Sequence, residues 1–315
     1  MSVVIVSEID PVRVITEKRD GGEHDPQLIR NWIESYASGT VDNEQMAAWA
    51  MAVLLNGMTA EETACLTEAM WKSGITLQWE SRDMPYVDKH STGGIGDKTS
   101  LILAPLLACC GVKVPMLSGR GLGITGGTLD KLQSIPGYRD NLSMGEFKNT
   151  VETVGIVMSG QTKEVCPADQ KMYDLRDKTG TVDSIPLICG SIMSKKLAEG
   201  IQGLVMDIKW GNGAFMENID DARKLGDLIK SVGNKFDIEV QTCFTSMHQP
   251  LGNTCGLWCE IQESILALRG NGPKDLMEVV NHLGKHALIM ADITNPVEKI
   301  SEVISNGKAL EIFTK

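Results

Sequence analysis

The segment Lys89-His90-Ser91-Thr92-Gly93-Gly94-Ile95-Gly96-Asp97-Lys98-Thr99-Ser100 runs without a break into LILAPLLACC (101–110) and then VKVPMLS (112–118). A glycine-rich turn, an apolar helix and a β-rich run in that order are the building unit of a layered α/β fold. Downstream, GIVMSG (155–160), GLVMDIKWG (203–211) and FDIEVQTCFT (236–245) read as buried strands, and DARKLGDLIKSVG (221–233) as a helix between two of them. Strands alternating with helices predict a mostly parallel sheet with helices on its faces, and ligands at the carboxyl ends of its strands. Upstream the period changes. Leu28, Ile29, Trp32, Ile33 and Tyr36 share one face of a helix over 27–38, with Gly39 at its C-cap. Asp42 with Gln45, and Thr59 with Glu62, open two more helices ending near Gly57 and Gly74. Residues up to about 73 therefore read as an antiparallel helical lobe.

The chain has 315 residues, 42% of them hydrophobic and 23% charged, which excludes collagen-like and largely disordered classes. No apolar run is long enough for a membrane span, and the N-terminal segment lacks a basic region followed by a small-residue cleavage site. Eight cysteines without a C-x-x-C pair read as reduced, mostly buried thiols of a cytoplasmic protein. A net charge of −11 argues against nucleic acid or an anionic membrane as partner, but leaves room for a local phosphate cradle.

That cradle is what the 89–100 segment offers. Gly93, Gly94 and Gly96 free backbone amides to curl round an anion, Ser91 and Ser100 add hydroxyls, and Lys89 adds charge. The following helix aims its N-terminal amides at the same place. A Walker A loop is ruled out, because Asp97 separates Gly96 from Lys98. A second glycine-rich segment, Ser118-Gly119-Arg120-Gly121-Leu122-Gly123-Ile124-Thr125-Gly126-Gly127-Thr128, follows a strand and contains a formal G-x-G-x-x-G. Only a short helix follows it, and Asp140 lies in a polar loop, so a dinucleotide site is rejected. The segment reads instead as a second anion loop with Ser118 and Thr128 as donors. His282 and His286 have zinc-like spacing, but with no Glu between them and no third ligand they read as ordinary helix histidines. Cys255 and Cys259 are expected in the core.

Together, KHSTGGIGDKTS and SGRGLGITGGTLDKLQSIPG resemble the two signature loops of the thymidine and pyrimidine-nucleoside phosphorylase family. The resemblance continues through GQTKEVCPADQKMYDLRDKTGTVDSIPLICGSIMSKKLAEG to MDIKWGNGAFM and covers nearly the whole chain. It implies a small helical lobe (1–73 and 168–198), a larger α/β lobe (74–167 and 199–315) with a mostly parallel central sheet, and a cleft between them. It implies phosphorolysis: inorganic phosphate, as co-substrate and with no further cofactor required, releases pyrimidine from a (deoxy)nucleoside and leaves (2-deoxy)-α-D-ribose 1-phosphate. Lys89, Ser91, Ser100, Ser118 and Thr128 would hold phosphate, the first two on a solvent-facing loop. His90 would meet the 2-oxo group as proton donor. Tyr173 with Arg176, and Ser191 with Lys195, would read the base from the helical lobe, each pair sharing a helix face by its spacing. The resemblance further implies a structural potassium near Gly96, Lys98, Leu251, Thr254 and Glu263, and a homodimer through the helical lobe.

Two features depart from the family pattern. Ile124 stands where the second loop usually has histidine, and the chain ends at Lys315, where full-length members continue into a C-terminal subdomain. In size it approaches anthranilate phosphoribosyltransferase, so a phosphoribosyltransferase is the first alternative, although no acidic pair is placed for its Mg²⁺-pyrophosphate. A catalytically silent nucleoside-binding homologue is the second.

Overall fold

The computed structural model describes residues 9–81, 83–121 and 126–315. The chain forms two compact units, Met1–Ile75 with Lys163–Ser194, and Thr76–Thr162 with Lys195–Lys315.

Four helices come first: α1 (Pro11–Arg19), α2 (Pro26–Ser38), α3 (Asn43–Asn56) and α4 (Ala60–Lys72). Their ends follow from local chemistry. Asp10 and Asp25 accept from first-turn amides and a proline opens α1 and α2, while Thr59 and Glu62 form a reciprocal capping box on α4. Helix α2 stops at Gly39, whose φ of 85° lies in the left-handed region open to glycine. Trp32, Ile33, Tyr36, Trp49, Val53 and Leu66 build the core of this unit.

The chain then enters the α/β unit through β1 (Val87–Ser91), α5 (Thr99–Cys109), β2 (Val114–Ser118), α6 (Thr128–Leu132), α7 (Met144–Val154) and β3 (Ile156–Gly160). It returns to the helical unit for α8 (Pro167–Thr179) and most of α9 (Ile185–Ala198). It finishes with β4 (Gly203–Trp210), α10 (Ile219–Lys235), β5 (Glu239–Ser246), α11 (Leu257–Leu268), α12 (Lys274–Met290), α13 (Pro296–Ser305) and α14 (Lys308–Thr314).

All pairings between these strands are parallel: β1-β4-β5 form one sheet and β2-β3 another. A parallel bridge between Tyr86 and Lys113 joins their edges, giving the spatial order β3-β2-β1-β4-β5. The chain winds from β1 outward to β3, then restarts on the other side of β1 with β4. The β1/β4 pair is therefore the switch point, where an open α/β sheet binds ligand beyond its carboxyl edge. The apolar helix α5, flanked by α11, α12 and the β2/β3 strands, forms the centre of the core.

One element corrects the sequence reading. Lys89, His90 and Ser91 are not on a solvent-facing loop but are the last three residues of β1, and Lys89 is only 1% exposed. The strand was hidden because VDKHS has charged residues where a buried strand normally has apolar ones. Those charges are paired inside the protein, which no local pattern reveals.

Candidate active site

Strand β1 delivers Lys89 and Ser91 to one face and His90 to the other, as the period of two requires. Lys89 Nζ donates to Thr99 Oγ1 (2.6 Å) and Ser100 Oγ (3.2 Å) at the start of α5, and lies 3.3 Å from Asp207 Oδ2. Asp207 is the register partner of Ser91 on β4; its Oδ2 also pairs with Lys209 Nζ (2.9 Å), and its Oδ1 accepts from Thr245 of β5 (2.6 Å). Two lysines thus share one buried carboxylate.

Asp97 closes the group. Its Oδ1 accepts from the Thr99 amide (3.2 Å) and hydroxyl (2.7 Å), capping α5, and its Oδ2 accepts from Ser91 Oγ (2.5 Å). Burial alone would raise this carboxyl, but Lys209, Lys89 and Lys131, with the Ser91 hydroxyl, hold it well below the usual carboxylate range. Lys131 of α6 donates to Asp97 O (2.5 Å) and pairs with Glu260 of α11 (2.8 Å). Ser118 ends β2, the neighbour of β1, so Ser91 and Ser118 stand at the same carboxyl edge. Thr128 is the first residue of α6. The arrangement gathers hydroxyls, the N-terminus of α5 and three lysines at one carboxyl edge; the lysines are balanced by Asp97, Asp207 and Glu260, and the Ser91 hydroxyl is given to Asp97.

On the opposite face of β1, His90 is half-buried. Burial, followed by the charges of Lys196, Lys195 and Lys89, pushes its pKa well below the ordinary histidine value. The imidazole is therefore neutral at neutral pH. It is a hydrogen-bond donor rather than a ready general acid, which narrows the proton-donor role expected for it. Lys196 is held by Asp88 (2.6 Å) and Glu199 (2.6 Å), and Glu199 accepts from the Leu117 amide of β2 (2.9 Å). This buried triad fixes the end of α9 against β1 and β2.

In the helical unit, α8 carries Tyr173 and Arg176, and α9 carries Ser191; Lys195, one turn further along α9, falls on the α/β side of the division. Arg176 is 3% exposed and donates to the carbonyls of Thr181 (3.1 Å), Val182 (2.6 Å) and Leu187 (3.1 Å). Burial lowers its pKa to about 10. Its guanidinium staples the α8–α9 connection. Ile124 lies outside the described residues.

The residues expected around potassium do come together, but they do not fit the ion. Lys98 Nζ itself donates to Leu251 O (2.7 Å), Thr254 O (2.8 Å) and Glu263 Oε2 (2.5 Å). Gly96, at φ 77°, packs so closely that an added Cβ would lie 3.1 Å from Leu251 O. An ammonium already fills the centre of the cage.

Cys255 is exposed and Cys259 half-buried, so neither belongs to the core. Cys243 of β5 supplies the third ligand atom that the sequence reading lacked beside His282 and His286, all within 4.8 Å of one another. Burial and Asp207 raise the Cys243 thiol to about 12, which disfavours the thiolate a metal requires.

Asp97, Lys131, Asp207 and Lys209 were missed by sequence reasoning. A signal existed for two of them: GLVMDIKWG places Asp207 and Lys209 two apart in an apolar run, hence on one face of a buried strand.

Residues 83–310 match the family described as "Glycosyl transferase family, a/b domain", and residues 12–74 its helical bundle domain. The chain is 44% identical to the thymidine phosphorylase of Colwellia psychrerythraea over 99% of its own length and 72% of that protein. It is 44% identical to the pyrimidine-nucleoside phosphorylase of Staphylococcus haemolyticus over 96% of its length and 71% of that protein. The chain belongs to the thymidine and pyrimidine-nucleoside phosphorylase family. Thymidine phosphorylase of Homo sapiens, another member, is 42% identical over 96% of the chain and 64% of its own length. The fold is shared more widely: anthranilate phosphoribosyltransferase from Thermus thermophilus superposes with a TM-score of 0.73 over 96% of this chain and 97% of that one, at 15% identity. Among the described residues no helix is long and apolar enough to cross a membrane.

Proposed function

We propose that the protein catalyses phosphorolysis of a pyrimidine (deoxy)nucleoside. Inorganic phosphate attacks the anomeric carbon, the N-glycosidic bond breaks, and the base departs with the bonding electrons. The products are the free base and (2-deoxy)-α-D-ribose 1-phosphate. The observation that carries this reading is the grouping of Lys89, Ser91 and Ser100 at the β1/β4 switch point, in a member of this family. Phosphate is held there by those three with Ser118 and Thr128. Negative charge gathers on the base as the bond breaks, and an enzyme gains by placing fixed donors where it appears. His90 offers a neutral N–H to the 2-oxo group, and Lys195 adds the positive charge that favours an anionic leaving group. Tyr173, Arg176, Ser191 and Lys195 hold the pyrimidine.

The protein acts in the cytoplasm as a homodimer through its helical unit, where Val12, Met51 and Leu55 are exposed apolar residues. Incubation with thymidine, deoxyuridine or uridine plus phosphate tests the activity. Base and sugar 1-phosphate should appear in equal amounts, and only when phosphate is present. No base release with any of the three, or release of pyrophosphate from phosphoribosyl pyrophosphate and a base, would overturn the reading.

A further inference from the structure

We propose that the side chain of Lys98 is a tethered replacement for a monovalent cation, so that this protein needs no potassium to order its glycine-rich loop. The donor set around Lys98 Nζ is that of a cation site. It consists of one carboxylate oxygen, Glu263 Oε2, and two backbone carbonyls, those of Leu251 and Thr254. All are hard oxygen ligands with a single negative charge among them. An ammonium has three N–H donors, and here each meets one of the three acceptors. Lys98 is 1% exposed, and Glu263 is 5% exposed. Glu263 is engaged on its other sides as well. It accepts from the amides of Asn253 (3.0 Å) and Thr254 (3.3 Å) and from Thr254 Oγ1 (3.2 Å). The acid thus shapes the 251–254 loop around the lysine, as ligands shape themselves around an ion.

The consequence falls on the anion cradle. Lys98 is the residue immediately before α5 and directly after Asp97, so fixing its side chain fixes where the glycine loop ends and where α5 begins. A free ion would do the same at a concentration-dependent occupancy. A covalently attached ammonium is present at a constant, high effective concentration. Potassium cannot join it: two cations would compete for one carboxylate, and the cage has no fourth oxygen among the contacts of Lys98.

The inference does not depend on the proposed reaction, because its readout is thermal stability. Unfolding midpoints are measured for the wild type, Lys98→Thr and Lys98→Met in potassium, ammonium and choline chloride at equal ionic strength. The wild type should unfold at one temperature in all three salts. Both variants should unfold earlier in choline. Lys98→Thr, which leaves space and a hydroxyl, should recover by a few degrees in potassium or ammonium, in proportion to the logarithm of salt concentration. Lys98→Met retains an apolar stem in the cage and should recover less. A wild type that responds to potassium over choline would overturn the proposal. So would a Lys98→Thr protein that is destabilised but indifferent to potassium, since that is the behaviour of an ordinary buried ion pair. If Lys98→Thr does not fold in choline, its folding yield in potassium provides the same comparison, and equal yields count against the proposal.

Discussion

The two glycine-rich segments look alike in sequence and are held by different means. The first, from Ser91 to Lys98, is anchored from within: Lys98 pairs with Glu263, Lys131 reaches Asp97 O, and Asp97 binds Ser91 and Thr99. In the second, the described residues on either side, 118–121 and 126–128, are gathered by the half-buried carboxylate of Asp130. Asp130 Oδ2 accepts from Gly121 N (2.7 Å) and Gly127 N (2.9 Å), and Asp130 Oδ1 meets the exposed Arg120 (3.3 Å). The ends pinch so tightly that a Cβ on Gly127 would lie 2.3 Å from Gly121 N. Glycine therefore lets the two flanks of the second segment approach closely, while the first is tied to charge partners that are themselves buried.

Lys89→Ala should have the largest effect. It leaves Asp207 with one lysine instead of two in a fully buried site, where removing a partner costs about 3–5 kcal/mol. Denaturant unfolding should report a loss of that order and phosphate KM should rise; a loss below about 1 kcal/mol would show that Lys209 alone neutralises Asp207.

Acidification should loosen the first segment next. Asp97 has a folded pKa below its ordinary 3.8 and His90 one below its ordinary 6.5. Each group binds more protons unfolded, so its contribution is complete above the ordinary value and fades as pH falls through the folded one. Stability should therefore decline from pH 6.5 downward, and His90→Asn should reduce the slope nearest 6.5, to which His24 and His286, also lowered by burial, contribute as well. An unchanged slope in that variant would assign the decline to other groups.

Asp130→Ala should cost about 1–3 kcal/mol, since it strips two amides and one arginine of their acceptor. Hydrogen exchange at Gly121 and Gly127 should speed up while Ser91 to Lys98 stays protected. Ile124→His restores a donor that the family's second loop usually has. A net hydrogen bond of about 0.5–1.5 kcal/mol predicts roughly a two- to tenfold gain in turnover. A gain of several orders of magnitude would make position 124 itself catalytic. Arg120→Ala should be the mildest change, within about 0.5 kcal/mol, because its partners Asp130 and Asp140 meet it at the surface.

Sequence by itself determined the helical lobe, the parallel α/β layering and the two loops, because caps, apolar periods and glycine runs act over a few neighbouring residues. Thr59 with Glu62, and Gly39 after Ser38, needed no distant partner to be read. The hydroxyls and lysine expected to form an anion cradle stand out in the sequence for the same reason. Only the tertiary structure decided that Lys89 is buried on β1, that Arg176 staples the turn before α9, and that Lys98 occupies the expected cation cage. Each of those outcomes depends on an acceptor brought in by folding: Asp207 from β4 for Lys89, the carbonyl of Leu187 for Arg176, and Glu263 from α11 for Lys98. A charged side chain carries no mark in the sequence of whether it will meet water or a buried partner. The energy of burying it is set by that partner, and for Lys89 and Lys98 the partner comes from far along the chain.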